Sequence, residues 1–131
     1  MSVFVDTSAL MAVMVAADDG HETAACTWRK LLTAGEHLVT SNYVLLETCA
    51  LLQRRYGIPH LRRFEAEAVP LLRIAWVGPE QHDAALTGLL AASRRDLSLV
   101  DCASFVLMRE LSITRAFALD EHFSEQGFEV V

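Results

Sequence analysis

Four carboxylates follow or interrupt apolar stretches of this sequence, at Asp6, Glu47, Asp101 and Asp120. Carboxylates that converge in a cleft repel one another and raise their own pKa values unless a positive charge lies among them. The only lysine, Lys30, falls on the polar face of "CTWRKLL", so a divalent cation is the expected counter-charge. Carboxylate oxygens favour Mg²⁺, for which Mn²⁺ can substitute. The four acids therefore predict a magnesium site.

Each acid also has a purely structural explanation. Ser98 and Asp101 match the S-x-x-[DE] capping box, in which the acid accepts a hydrogen bond from a free backbone N–H group. Asp6 and Asp120 can cap the helices that follow them, and Glu47 can be a half-exposed helical residue. Glu47 fits a capping role least well, because it lies inside the apolar stretch "NYVLLETCALL".

Zinc and disulfide chemistry have little support in the sequence. The five histidines show no H-x₃-H or mixed Cys/His ligand spacing; they are His21, His37, His60, His82 and His122. The three cysteines are odd in number and form no C-x-x-C pair, which is typical of reduced thiols in a core; they are Cys26, Cys49 and Cys102.

The elements that must position the acids alternate between short apolar runs and longer helical segments. The runs are typical of strands and cover residues 2–5, 37–40, 73–77, 115–119 and 128–131. The alternation predicts an α/β fold with a mainly parallel sheet of four to five strands sandwiched by helices, the last strand at an edge. Asp6 directly follows the first of these strands and Asp120 the fourth, at the edge of the sheet where sites form. Glu47 and Asp101 fall early in helices that leave the same edge.

Turn residues predict where the helices begin and end. Ser41 is expected to cap a helix that runs through Arg55. Pro59 and Pro79 fit the first positions of two further helices, and Pro70 is expected to end the helix that Pro59 begins.

Length and composition indicate one compact domain over residues 1–131, without a membrane span. The chain is 53% hydrophobic and 21% charged, and no apolar run approaches the ~20 residues that cross a bilayer. No signal peptide is recognised, so a cytoplasmic location is expected. A net charge of −6 argues against a simple phosphate-binding surface.

Taken in order, the segments "VFVDTSAL", "TSNYVLLET", "LSLVDCASF" and "FALDEHFSEQGFEVV" resemble the PIN-domain family, in particular the VapC-like toxins of toxin–antitoxin pairs. The resemblance implies a single PIN-like domain and a metal-dependent endoribonuclease. Its catalytic and metal-binding residues would be Asp6, Glu47, Asp101 and Asp120. Water would attack an RNA phosphodiester with the help of one or two Mg²⁺ ions, leaving a 5′-phosphate and a 3′-hydroxyl. The division of roles among the acids stays open.

The resemblance also implies partners: an RNA substrate, a cognate antitoxin protein and a second copy of the chain in a homodimer. Exposed apolar side chains in residues 8–17 and 56–64 could make such contacts, although a methionine-rich stretch such as 8–17 is more often part of the core. The main alternative is a catalytically silent PIN-like module that binds RNA or protein. Four intact acids argue against it, because a scaffold gains nothing from their mutual repulsion.

The sequence departs from the family pattern near the last acid. Position 118 is Ala, where many relatives have Thr or Ser, so a hydroxyl group is missing that Thr7 or Ser8 could supply. Asp96, in "RRDLSLVD", is either a fifth acid near the metal or a solvated residue that caps a helix.

Arginines are unevenly distributed along the chain. They are interpreted either as an RNA-contacting rim or as solvated helix faces paired with glutamates, and the residues concerned are Arg54, Arg55, Arg62, Arg63, Arg73, Arg94 and Arg95.

Overall fold

Five strands form one sheet in the computed structural model, which describes residues 1–131. They are β1 (Ser2–Val5), β2 (His37–Ser41), β3 (Arg73–Ala75), β4 (Arg115–Phe117) and β5 (Glu129–Val130). Their order is β3-β2-β1-β4-β5, and every neighbouring pair is parallel. The predicted α/β class is therefore confirmed, with a wholly parallel sheet and the last strand at an edge.

Seven α-helices connect these strands. They are α1 (Thr7–Met14), α2 (His21–Thr33), α3 (Asn42–Tyr56), α4 (Ile58–Arg63), α5 (Pro79–Ala92), α6 (Leu99–Glu110) and α7 (His122–Glu125). The connections from β1 through β3 run toward one edge, and the α5–α6 connection returns to β4 on the other side of β1. Because parallel crossovers are right-handed, helices before and after β3 cover opposite faces of the sheet. None of these helices combines the length and the apolar character needed to cross a membrane.

The strand order reverses between the neighbouring parallel strands β1 and β4. The backbone N–H of Asp6 donates to the carbonyl of Phe117 at 3.0 Å, so the two strands stay together to their carboxyl ends. In open α/β sheets this point of reversal opens a crevice in which ligands bind. The fold thus sets Asp6 at the place where a site is expected.

The core surrounds β1, whose Val3, Phe4 and Val5 are fully buried. Helix α1 packs against α2 and α3 and buries most of its apolar side chains: Ala9, Leu10, Met11, Ala12 and Met14. Of the two interpretations of residues 8–17, the structure therefore confirms a core stretch and not an exposed contact surface. In residues 56–64, by contrast, Tyr56 and Ile58 are exposed.

Two strands end two residues earlier than the sequence predicts, and β5 is one residue shorter than predicted at each end. The predicted strand 73–77 stops at Ala75, because the N–H of Val77 donates to Oδ1 of Asn42 at 2.6 Å. The predicted strand 115–119 stops at Phe117, and the N–H of Leu119 donates to Oγ of Ser8 at 2.9 Å. In both cases a side chain takes the backbone group that a longer strand would use.

The prolines act slightly differently from the prediction. Pro79 begins α5 as expected, whereas Pro59 is the second residue of α4. The helix that contains Pro59 ends at Arg63. A π-helical turn follows directly, and Pro70 lies in the 3₁₀ turn after that. Ser41 caps α3 through its hydroxyl group, as predicted, and that helix runs one residue past Arg55.

Candidate active site

An open cavity of about 470 Å³ lies at the carboxyl ends of β1 and β4. All four predicted acids line it: Asp6, Glu47, Asp101 and Asp120. The remaining lining residues are Thr7, Ser8, Met11, Asp18, Leu51, Arg55 and Leu119. Acids that are 114 positions apart at the extremes of the chain therefore meet in one place.

Asp6 is the most buried of the four, with 3% of its surface exposed. Its Oδ2 accepts hydrogen bonds from the backbone N–H and the hydroxyl of Ser8, at 3.2 and 2.7 Å, and caps α1. Burial raises the pKa of Asp6 from 3.8 to about 7 against the lowering effect of Ser8. The nearby carboxylates of Asp120 and Asp101 also raise this pKa. The Asp6 side chain therefore caps α1, while burial and the neighbouring carboxylates disfavour its ionised form.

Asp101 both caps its helix and lines the cavity. Its Oδ2 accepts from the backbone N–H of Ser98 at 3.1 Å, and its own N–H donates to the Ser98 hydroxyl at 3.0 Å. The predicted capping box is thus confirmed. The same side chain, 8% exposed, also lines the cavity.

Asp120 and Glu47 are half-buried at the cavity. Oδ1 of Asp120 accepts from the N–H of His122 at 3.0 Å and so supports the start of α7. The carboxylate of Glu47 makes no hydrogen bond or ion pair with the protein, although its backbone is part of α3. It lines the cavity together with Leu51 and Arg55, which follow it at four-residue intervals on α3. Glu47 is therefore the only one of the four acids whose side chain makes no contact that stabilises local structure.

His122 lies beside two of the acids, although the spacing of the histidines in the sequence did not indicate a role for it. Its Nδ1 lies 3.3 Å from Oδ2 of Asp101 and 3.8 Å from Oδ1 of Asp120. One ligand atom from each of these three residues falls within 4.8 Å of the other two, whereas Asp6 and Glu47 lie outside this tighter group. The available signal in the sequence was the position of His122 two residues after Asp120.

Hydroxyl groups stand beside Asp6, as considered in place of the one missing at Ala118. Ser8 donates to Asp6 and accepts from the N–H of Leu119, so it links α1 to the segment after β4. Thr7 also lines the cavity; it is 5% exposed, and its buried Oγ1 has no hydrogen-bond partner. Ser8 is thus occupied and Thr7 unpartnered.

Asp96 does not line the cavity. Its side chain is 60% exposed and accepts two hydrogen bonds from Arg94, which lower the pKa of Asp96 to about 2. Oδ2 of Asp96 also lies 3.5 Å from Nε2 of His122. Of the two interpretations, the solvated residue fits better than a fifth acid in the cavity.

Among the seven arginines of the suggested rim, only Arg55 lines the cavity, and it forms no ion pair. Arg63 lies 3.6 Å from Glu67, one turn along the chain. Arg94 pairs with Asp96 and with Glu125, each at 2.7 Å. The interpretation as a solvated helix face paired with a glutamate thus holds for Arg63. Arg94 is paired with acids in and beyond the loop after α5, and Arg55 stays free to meet a ligand.

The donor set fits a hard divalent cation. The cavity presents carboxylate oxygens and the unpartnered Thr7 hydroxyl, and no thiol. Mg²⁺ and Mn²⁺ prefer such oxygen ligands. A cation there would also offset the repulsion that raises the pKa of Asp6.

Comparison with known proteins gives a consistent result. The family model described as "PIN domain" matches residues 3–129. The 23S rRNA-specific endonuclease VapC20 of Mycobacterium tuberculosis is 37% identical over 129 residues, covering 96% of this chain and 95% of that protein. The crystal structure of VapC20, described as a Sarcin-Ricin loop cleaving toxin, is similar with a TM-score of 0.84 at 36% identity, over 96% and 95% of the two chains. FitAcB from Neisseria gonorrhoeae, at 14% identity and a TM-score of 0.69 over 99% and 96%, shares the fold.

Proposed function

The chain belongs to the PIN-domain family, and from this premise we propose that its acidic cavity is the active site of a Mg²⁺-dependent endoribonuclease. One observation supports this most: acids from the end of β1, from α3, from α6 and from the segment after β4 line a single cavity at the point where the strand order reverses. Asp6, Glu47, Asp101 and Asp120 are the proposed catalytic and metal-binding residues, and Mn²⁺ is expected to substitute for Mg²⁺.

The contacts of each acid suggest which role it has in the proposed site. Asp6, Asp101 and Asp120 are proposed to hold the cation, which, when bound, neutralises phosphate charge and makes water a better nucleophile. Ser8 fixes one oxygen of Asp6, and Ser98 fixes one oxygen of Asp101. Glu47 has no protein partner, so it is free either to join them or to accept a proton from the attacking water.

The substrate class is proposed from the relatives, since VapC20 is named for 23S rRNA and for the sarcin-ricin loop. We propose that this chain is likewise a toxin that cuts ribosomal RNA in the cytoplasm. A cognate antitoxin and a homodimer are further proposals from kinship. Exposed apolar side chains at Tyr56 and Ile58 offer one surface for such contacts.

The first experiment is incubation of the purified protein with 23S rRNA and a sarcin-ricin hairpin in Mg²⁺ or Mn²⁺. We expect cleavage that leaves 5′-phosphates, stops in EDTA and is lost in Asp101→Asn. Asp19→Asn is the matched control, because Asp19 is exposed and does not line the cavity. Absence of cleavage by folded, antitoxin-free protein in either metal would instead favour the silent binding module.

Arg55 is expected to bind an RNA phosphate. It is the one basic side chain that lines the cavity, and no carboxylate neutralises it. Arg55→Ala should raise KM for RNA about 10- to 150-fold, since a hydrogen bond to a charged group contributes roughly 1.5–3 kcal/mol. Arg54→Ala on the same helix, exposed and outside the cavity, should leave KM within about twofold. Equal effects of the two changes, read from steady-state cleavage rates, would contradict a specific contact.

A further inference from the structure

His122 is close to the proposed metal-binding acids but does not line their cavity. Its side chain is 18% exposed, and its Nδ1 is buried without a well-formed hydrogen bond. Carboxylates face both ring nitrogens: Asp101 and Asp120 face Nδ1, and Asp96 faces Nε2. Because ionised carboxylates only accept hydrogen bonds, the nitrogen between Asp101 and Asp120 is best occupied by a proton.

In each of Asp101 and Asp120, the protein contacts involve only one of the two carboxylate oxygens. His122 Nδ1 lies beside Oδ2 of Asp101, the oxygen that also accepts from Ser98. It lies beside Oδ1 of Asp120, the oxygen that accepts the backbone N–H of His122. Oδ1 of Asp101 and Oδ2 of Asp120 take no hydrogen bond from the protein. Each carboxylate is thus held by one oxygen, and the other remains available to a cation.

His122 is itself fixed from the opposite side. Arg94 donates to Oδ1 and Oδ2 of Asp96 at 3.1 and 2.7 Å, and it also donates to Glu125 of α7 at 2.7 Å. Asp96 in turn lies 3.5 Å from His122 Nε2. The loop before α6 is therefore tied to α7 around the histidine, which restricts how the ring can turn.

We propose that His122 is a positioning residue that holds the Asp101 and Asp120 carboxylates in the orientation that receives the cation, with Asp96 holding the ring in turn. This role rests on the proposed function. Hydrogen-bonded groups that orient metal ligands typically change metal affinity by about 10- to 100-fold. Loss of the His122 side chain is expected to weaken metal binding by a factor in that range, because the two carboxylates would lose the ring nitrogen between them and keep only the backbone N–H groups of Ser98 and residue 122.

The test measures the Mn²⁺ dissociation constant of the RNA-free protein by calorimetry. His122→Asn places an amide N–H near the position of Nδ1 and should stay within about threefold of the unchanged protein. His122→Gln reaches the position of Nε2 instead and should lose at least about tenfold. His37→Asn is the matched control, since His37 is exposed at the start of β2. Circular dichroism checks that each variant is folded.

The outcomes separate this inference from the proposed function. An unchanged protein that binds no Mn²⁺ would overturn the proposed metal site itself. Binding that is equally tight in the protein and in His122→Gln would overturn only the role of His122. A directly bound nitrogen in pulsed EPR of the Mn²⁺ complex would overturn it too, by making His122 a ligand. If His122→Gln does not fold, exposed Asp96→Asn decides, with a loss of at least about twofold expected and unchanged affinity counting against the role.

Discussion

Asp6→Asn is expected to reduce RNA cleavage about a thousandfold and to make the metal-free protein more stable. A bound cation contributes several kcal/mol of charge stabilisation to the transition state, and removing a charged ligand forfeits much of it. The amide oxygen can still accept from the backbone N–H and hydroxyl of Ser8, and Asn caps a helix about as well as Asp. The variant therefore loses the charge and keeps the local structure.

The stability effect depends on pH in a defined direction. Because the pKa of Asp6 rises from 3.8 to about 7 on folding, the folded chain holds this proton more tightly than the unfolded chain. The contribution to stability is complete below pH 4 and is lost as the pH rises toward 7. Above pH 7 the ionised group costs the folded state on the order of 4 kcal/mol, at 1.36 kcal/mol for each pKa unit. The advantage of Asp6→Asn should therefore grow from pH 5 to pH 8.

Thermal unfolding in EDTA, followed at pH 5, 6, 7 and 8 for both proteins, measures this. The exposed change Asp19→Asn is the control and should give a small, nearly constant difference. Added Mg²⁺ should stabilise the unchanged protein and have a much weaker effect on Asp6→Asn. An advantage that shrinks with rising pH would contradict the raised pKa.

Phe123→Ala is expected to have the largest effect on stability. Phe123 is fully buried, and its ring packs against Phe4, Phe105 and Phe128, with centroids 6.4, 5.1 and 6.4 Å away. Truncating a buried Phe to Ala typically costs about 3–5 kcal/mol, through lost burial and the cavity left behind. The change also removes the anchor of α7, the four-residue helix that begins at His122.

Urea unfolding at fixed pH gives the free energy of unfolding directly. Phe128→Ala serves as the comparison, because Phe128 belongs to the same aromatic cluster but is only partly buried and should lose less. Folded Phe123→Ala protein should also bind Mn²⁺ more weakly, since Asp120 and His122 lose their support. Equal destabilisation by the two changes would show that burial of Phe123 is not the main factor.

The fold was readable from the sequence because its signals are local. The run at 2–5 is apolar throughout, as a central parallel strand must be, and it forms β1 with the predicted bounds. The predicted strands 73–77 and 115–119 were too long, since their last residues are just as apolar. What ends them is a side chain from another element, such as Ser8 accepting from Leu119. No pattern within a single segment contains that contact.

The candidate site was also predictable where its signals are local, and not where contacts between distant elements decide. The convergence of Asp6 and Asp120 could be predicted, because the carboxyl ends of adjacent parallel strands meet at one edge. Asp101 was expected both to cap its helix and to join the other acids, and the structure shows one side chain in both places. The spacing of His122 from Asp120 was visible in the sequence, but its other two carboxylate neighbours, Asp101 and Asp96, are brought to it only by tertiary structure.

The central location of β1 has a consequence for the order of events during synthesis. β1 is made first, but its neighbour β4 comes more than a hundred residues later, and the two hold Asp6 and the segment leading to Asp120 together. A nascent chain that still lacks residues 115–120 has neither the second central strand nor the last acid. Such distant pairings form late in folding. The cavity is therefore incomplete in a nascent chain until residues 115–120 have been made and have folded against β1.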